Sequence, residues 1–233
     1  MANPVESKCE VPETCRGKLC DGIYLPDPSM PPYWEPCPLD GPDCPFHKQR
    51  LLGPLGIGRR YQAAELDRVT DEKPADGSDD VRAIVRGYLD SIAESVVAGR
   101  GLYIQGDVGT GKTSILALVA YAAASAGHSV AYWYAGELFD RLHRDDQEAI
   151  AQARHCDLLL LDDFGVQYAI DWTVTRFDAL VEYRYAHGKA MCVTTNASRE
   201  ELSKSNAWRR VYDRWKEMCE SISAGKKSMR GSQ

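Results

Sequence analysis

The residue pattern best suited to chemistry in this chain is a glycine-rich loop of the form GxxxxGK[ST]. Glycines permit turns in which successive backbone N–H groups point at a phosphate. A lysine followed by a hydroxyl residue supplies a cation for the β- and γ-phosphates and a ligand for Mg²⁺. The loop consists of Gly106, Asp107, Val108, Gly109, Thr110, Gly111, Lys112 and Thr113. The motif predicts a nucleoside triphosphate site.

Two further groups of polar residues each follow an apolar run. Asp162 and Asp163 come directly after four leucines at 158–161, and Asn196 follows the next apolar run. One carboxylate is needed to hold Mg²⁺, so we assign Asp162 to the metal. We assign Asp163, on the other side of the strand, to an attacking water, and Asn196 to the γ-phosphate. The alternatives are an ordinary acidic turn and an Asn that serves turn geometry.

These side chains require a strand before the loop and a helix after it. The run at 102–104 is apolar, and residues 113–126 have helix-forming composition, so the phosphates would lie at a helix N-terminus. Patterning predicts strands at 101–105, 128–134, 157–161, 190–195 and 219–223. It predicts helices at 81–96, 112–126, 136–144, 146–154, 172–187, 198–203 and 207–218. This alternation indicates an α/β fold with a doubly wound parallel sheet.

Composition indicates a reduced, water-soluble chain. The 233 residues carry a formal net charge of −6, which does not favour nucleic-acid binding, although residues 199–233 hold nine Lys/Arg against five Asp/Glu. There is no apolar run long enough to cross a membrane and no apolar signal segment at the N-terminus. We therefore expect a cytoplasmic protein with free thiols, and we expect Cys156, Cys192 and Cys219 to be core residues.

The first 50 residues differ in kind from the rest, because they hold ten of the twelve prolines and five of the eight cysteines. Such a segment buries little core and needs a metal or disulfides to become ordered. Soft ligands in a short cytosolic segment favour tetrahedral Zn²⁺. The preferred ligands are Cys15, Cys20, Cys37 and Cys44, with Cys9 and His47 as alternates. The alternative is a tail with free thiols or adventitious disulfides.

The chain thus divides into three predicted parts: a cysteine-rich head (residues 1–50), a connector (51–80) and an α/β domain (81–233). Within the connector, Ile57-Gly58-Arg59-Arg60-Tyr61 precedes an acidic loop that contains Pro and Gly. The sequence contains no internal repeat.

At this point a family resemblance becomes visible in the order of the motifs. The segments GDVGTGKT (106–113), LLLLDDFG (158–165) and TTN (194–196) resemble the AAA+ ATPases of the DnaC/DnaI helicase-loader and IstB transposition-helper group. The segments RRVYDRW (209–215) and SMR (228–230) resemble that group's arginine-finger and terminal sensor segments.

The resemblance implies a role for each matching residue. Lys112 and Thr113 would bind phosphate and metal, and the two acids would be the Walker B pair. Asn196 would be sensor 1. Arg210 and Arg214 would be candidates to reach the ATP of a neighbouring subunit, with Arg214 favoured, and Arg230 would contact the γ-phosphate of its own subunit. Many AAA+ proteins have Glu where this chain has Asp163, and the shorter side chain is expected to slow hydrolysis.

The resemblance also implies partners. Related helicase loaders have a small zinc-binding head and an "IPxRY" segment, which the head and connector echo, and Arg60 with Tyr61 would line the adenine pocket. The expected protein is an ATP-dependent loader, of bacterial or phage origin, that uses ATP, Mg²⁺ and Zn²⁺. It would bind a replicative DNA helicase and single-stranded DNA and self-associate. The alternatives are an IstB-like transposition helper on duplex DNA, an ATP-binding adaptor that does not hydrolyse, and a small-molecule P-loop kinase.

Overall fold

The computed structural model describes residues 47–66, 80–165, 171–202 and 206–225. The described helices are α1 (His47–Leu52), α2 (Arg59–Gln62), α3 (Val81–Asp90), α4 (Ile92–Val97), α5 (Lys112–Ser125), α6 (Ala135–His143), α7 (Gln147–His155), α8 (Asp171–Ala186), α9 (Arg199–Leu202) and α10 (Asn206–Met218). The strands are β1 (Gly101–Gln105), β2 (Val130–Tyr134), β3 (Leu158–Phe164), β4 (Ala190–Thr195) and β5 (Cys219–Ser223).

The strands form one sheet in the order β2-β3-β4-β1-β5, and every neighbouring pair is parallel. The sequence-based expectation of a parallel α/β sheet is therefore confirmed. In a parallel sheet the carboxyl ends of the strands share one edge, where ligands of open α/β sheets bind. The ends of β1, β3 and β4 are neighbours at this edge, so the phosphate loop, the two acids and Asn196 must come together.

Helices cover both faces of the sheet, which explains why the interior strand β3 begins with a continuous apolar run. Leu158 and Leu160 of β3 are buried with α5 on one face, whereas Leu159 and Leu161 are buried with α6, α8 and α10 on the other. Each buried leucine contributes roughly 1.5–3 kcal/mol relative to exposure. Strand β3 is thereby anchored from both sides, and its carboxyl end is held at a fixed place.

One helix differs from its prediction. The apolar spacing over 81–96 predicts a single helix, but the structure divides it at Ser91, which lies between α3 and α4 at φ −109° and ψ 23°. The Ser91 hydroxyl donates to the carbonyl of Gly87 (2.9 Å). A serine that bonds to the backbone in this way competes with the regular helical pattern, which accounts for the break.

The described part of the connector packs against the α/β domain. Leu52 and Ile57 are buried in the same cluster as α5, with 0% and 2% of their surface exposed. Lys48 donates a hydrogen bond to the carbonyl of Ala64, which fixes α1 to the segment that follows α2. Through these contacts α2 is held beside the sheet edge that carries the polar residues.

Other features of the described residues agree with the composition. Cys156, Cys192 and Cys219 are free and buried, as expected for core thiols. No helix among the described residues is long and apolar enough to cross a bilayer.

Candidate active site

The loop between β1 and α5 has the geometry of a phosphate cradle. Gly109 and Gly111 have φ values of 87° and 85°, in the left-handed region that a glycine adopts without strain. A Cβ on Gly106 would lie 3.0 Å from the Thr110 hydroxyl and 3.1 Å from the carbonyl of Gly225. These glycines let the backbone wrap closely around the start of α5, where a phosphate would meet the free N–H groups of a helix N-terminus.

Lys112 is buried, with 8% of the residue's surface exposed, and its ammonium lies inside this cradle. It donates to the carbonyls of Gly106 (2.8 Å) and Asp107 (2.7 Å) and to Oδ1 of Asn196 (2.7 Å). The loop and the end of β4 are thus joined through one cation.

Asp162 is almost fully buried, with 4% of its surface exposed, and hydroxyl groups surround its carboxylate. Oδ1 accepts from Thr194 (2.5 Å) and from Thr113 (3.3 Å), and Oδ2 accepts from Tyr132 (2.7 Å). Burial and the nearby Asp162 carboxylate raise the pKa of the Tyr132 phenol, so it remains a donor at neutral pH. The Thr113 hydroxyl and the Asp162 carboxylate are hard oxygen ligands side by side, a set that fits Mg²⁺.

Asp163 departs from the expected strand geometry. Simple alternation would send its side chain to the face opposite Asp162, but its φ is 55°, and the β3–β4 register shifts between Leu161 and Phe164. Its backbone N–H donates to the Thr194 hydroxyl (2.8 Å), which holds the irregularity in place. As a result, both acids line one cavity, a correction to the prediction that they lie on opposite sides of the strand.

Asn196 connects the second acid to the lysine. Its Nδ2 donates to Oδ1 of Asp163 (3.0 Å), while its Oδ1 accepts from Lys112. Tyr134 also contacts Asp163, with its phenol 3.3 Å from Oδ2. A cation, an amide and a carboxylate therefore form a continuous chain across the ends of three strands.

These groups face a cavity of about 590 Å³. The phosphate loop and the two acids form one side, and Arg60, Tyr61 and Glu65 of the connector form the other. The volume is in the range of sites that hold a nucleotide-sized ligand. Arg60 and Tyr61 line this cavity, and their contact with the adenine base stays a prediction.

The predicted arginines occupy other positions. Arg210 and Arg214 lie on α10 and do not line the cavity; both bind Asp178 of α8. Arg210 donates from Nε (3.1 Å) and Nη2 (2.7 Å) to one carboxylate oxygen, and Arg214 donates from Nη1 (2.7 Å) to the other. Arg214 also pairs with Glu182. Arg210 is 56% exposed and Arg214 only 19%, so Arg214 is the more firmly held of the two.

Several predicted residues lie outside the described part of the chain. They include Arg230 and the five cysteines of the head, Cys9, Cys15, Cys20, Cys37 and Cys44. His47 begins α1, but its side chain is not among those described. Within the described residues no group of three or more His, Cys, Asp or Glu has a metal-binding arrangement. The zinc site therefore stays a prediction.

The structure adds site residues that the sequence reasoning missed: Tyr132, Tyr134, the Thr194 hydroxyl and Asp178. The sequence did contain a sign of the two tyrosines. In Tyr132-Trp133-Tyr134 the tyrosines are two residues apart, and that spacing places both phenols on one face of a strand. Its meaning depended on the strand order, which puts β2 next to β3. Sequence periodicity does not contain that information.

Solved structures with the same fold are numerous, and three illustrate the likeness. DnaI is 24% identical, with a TM-score of 0.60 over 75% of this chain and 94% of that chain. The DnaC helicase loader is 23% identical, with a TM-score of 0.56 over 71% and 99%. The replication initiator DnaA bound to AMPPCP and single-stranded DNA is 22% identical, with a TM-score of 0.53 over 71% and 50%. These likenesses establish a shared fold.

Sequence comparison gives the family. Among curated proteins none matches this sequence. Residues 93–233, however, match the family described as IstB-like ATP binding protein, and this segment includes the phosphate loop, both acids and the arginine-rich α10. Because the match covers more than half of the sequence, the chain belongs to the IstB-like family of ATP-binding proteins and has their AAA+ P-loop fold.

Proposed function

We propose that this protein hydrolyses ATP at a site completed by a second copy of the chain, and that it uses this cycle to load a replicative DNA helicase onto single-stranded DNA. The observation that carries the catalytic part is the hydrogen-bonded chain from Lys112 through Asn196 to Asp163, beside the Thr113–Asp162 pair, in one cavity. A site that only bound nucleotide would not need a second carboxylate held against a polar amide.

Each group has a defined task in hydrolysis. Lys112 neutralises the phosphate oxygens at the N-terminus of α5. Thr113 and Asp162 would hold Mg²⁺, which withdraws negative charge from the phosphates when it is bound. Asp163 orients an attacking water and receives its proton, and Asn196 holds that carboxylate at a fixed distance from the lysine. The roles follow from hydrogen bonds among the residues themselves, which fix the polar groups relative to one another.

The inter-subunit part of the proposal rests on charge. Phosphoryl transfer builds negative charge on the equatorial oxygens, which an arginine stabilises. Among the described residues the only guanidinium in the cavity wall is that of Arg60, at the connector end. Arg210 and Arg214 lie on α10, away from the cavity of their own chain, where a neighbouring copy could receive them. Arg214 remains the favoured finger, and Arg230 the sensor of its own site.

Helicase loading rests on the resemblance to DnaC and DnaI, on the shared fold and on the cysteine-rich head. The rival is an IstB-like transposition helper on duplex DNA. The family match covers residues 93–233 and leaves the head and connector unmatched, so the cysteine-rich head argues against this rival. A non-hydrolysing adaptor is a further alternative, which the intact acids argue against.

The test of the catalytic part compares three proteins for ATP binding and turnover. We expect wild type to do both, Lys112→Ala to lose binding, and Asp163→Asn to bind ATP with turnover lowered by about 10²-fold or more. Normal turnover in Asp163→Asn would refute its assigned role, and normal binding in Lys112→Ala would refute the phosphate site.

Helicase loading is tested by a pull-down with a hexameric replicative helicase, using the full chain and a variant that lacks residues 1–50. We expect ATP-dependent capture by the full chain only, and turnover stimulated more by single-stranded than by duplex DNA. Capture of no helicase, with stimulation by duplex DNA, would instead support the transposition helper.

A further inference from the structure

The buried carboxylate of Asp162 has three hydroxyl donors, and one of them comes from an edge strand outside the known motifs. The two threonines on Oδ1 belong to α5 and β4, whereas Oδ2 accepts only from Tyr132 of β2 within the described part of the chain. The Tyr132 bond, at 2.7 Å, is much shorter than the 3.3 Å contact from Thr113. Tyr132 therefore holds one oxygen firmly while the other faces the metal-binding hydroxyl.

The strand register explains how this contact forms. Tyr132 pairs with Leu160 and Tyr134 with Asp162, so the Tyr132 side chain lies on the same face as Asp162 and two residues before it. A phenol is long enough to reach forward by that distance along a strand. Trp133 lies on the opposite face, with the cluster that contains α6 and α8. The contact thus depends on the placement of tyrosine at this one position of β2.

We propose that Tyr132 is a positioning residue for the metal-binding carboxylate, whose hydroxyl fixes Oδ2 of Asp162 so that Oδ1 stays beside the Thr113 hydroxyl. This inference rests on the proposed ATP and Mg²⁺ site. Groups that orient a metal ligand are typically worth 10–100-fold in metal affinity or activity. Without the phenol, Oδ2 loses its donor, and the carboxylate is held through Oδ1 alone, by Thr194 and by the longer contact from Thr113.

The substitution that isolates the hydroxyl is Tyr132→Phe. It keeps the ring, which packs against the cluster around α5, and removes only the donor. The matched control is Tyr185→Phe, because the Tyr185 phenol also donates to a carboxylate, that of Glu217, but lies on α8 away from the cavity. Both variants are made in the full chain.

The measurement is the equilibrium affinity for a fluorescent ATP analogue as Mg²⁺ is titrated, with a parallel titration in EDTA. We expect Tyr132→Phe to leave the affinity in EDTA unchanged and to raise the half-saturating Mg²⁺ concentration about tenfold. We expect Tyr185→Phe to match wild type in both conditions. Turnover at saturating Mg²⁺ should recover in Tyr132→Phe, because excess metal compensates for the loosened ligand.

The outcomes separate the inference from the proposed function. If wild type binds no nucleotide, the proposed function fails and the inference fails with it. If wild type binds nucleotide with the usual dependence on Mg²⁺ and Tyr132→Phe shows the same half-saturating concentration, only the inference fails. A lower melting temperature in Tyr132→Phe with an unchanged Mg²⁺ response would identify a purely structural role and overturn the inference.

Discussion

Replacing Thr194 by valine tests whether the irregular end of β3 is needed for catalysis. The Thr194 hydroxyl is fully buried and touches both acids: it donates to Oδ1 of Asp162 and accepts the backbone N–H of Asp163. Valine has nearly the same shape, so the change removes the two hydrogen bonds without opening a large cavity. We expect a loss of stability and a loss of turnover that arise from the same hydroxyl.

The expected loss of stability follows from the two hydrogen bonds that the Thr194 hydroxyl makes. A hydrogen bond to a charged group contributes about 1.5–3 kcal/mol, and an unpaired buried N–H costs about 1–3 kcal/mol. The two costs do not add in full, because the surrounding residues can move to recover part of the lost hydrogen bonding. We therefore expect the free energy of unfolding to fall by about 2–4 kcal/mol. The Asp163 backbone, in its left-handed conformation, is then free to shift, and a shift of about 1 Å costs on the order of 10²-fold in rate.

The adjacent Thr195 offers a matched control. It is also fully buried, and its hydroxyl also makes two bonds, donating to the carbonyl of Phe164 and accepting from the N–H of Ala197, but it touches neither acid. Urea denaturation should show a smaller loss for Thr195→Val, about 1–3 kcal/mol, because both of its partners are neutral. We also measure the factor by which each variant lowers ATP turnover per folded molecule. This factor should be at least ten times smaller for Thr195→Val than for Thr194→Val. Equal turnover in the two variants would refute the argument.

Three further predictions concern other parts of the chain. Arg214→Ala should keep ATP affinity but lower DNA-stimulated turnover by about 10³-fold, since a trans arginine contributes on that scale; unchanged turnover would remove it as the finger. In the native protein Cys156, Cys192 and Cys219 should resist a thiol reagent at pH 8 and react after denaturation, because burial raises the pKa of each thiol, that of Cys192 to about 11. Metal analysis of the full chain should find one zinc per molecule, reduced by Cys15→Ser, and a chain free of zinc would contradict the head assignment.

The sequence predicts the elements that carry the site because their patterns are local. The phosphate loop needs particular residue types at consecutive positions, and the leucines of 158–161 reflect burial on both faces of a parallel sheet. The alternation of strands and helices along the chain predicts a parallel sheet with helices on its faces. The neighbourhood of Lys112, Asp162 and Asn196 then follows from the common edge of the strands.

The arrangement of the second acid was not predictable in the same way. Two adjacent residues on a regular strand point to opposite faces, and only the left-handed φ of Asp163 brings both carboxylates into one cavity. That conformation is stabilised by Thr194 on the neighbouring strand, a tertiary contact. Aspartate tolerates it better than most residues do, but many aspartates follow strands without adopting it.

The contacts between distant segments explain how the catalytic end of β3 and the arginine-bearing helix α10 can depend on each other. Phe164 follows Asp163 directly, and its ring packs edge-on against Trp208 and Trp215 of α10, with centroids 5.2 and 5.0 Å apart. The same helix is clamped to α8 through Asp178, which accepts hydrogen bonds from both candidate finger arginines. A close-packed aromatic cluster transmits displacement instead of absorbing it. These contacts connect the acid-bearing end of β3 to α10, so we expect a substitution of Phe164 to affect both the acid of one site and the arginine that we propose serves the next.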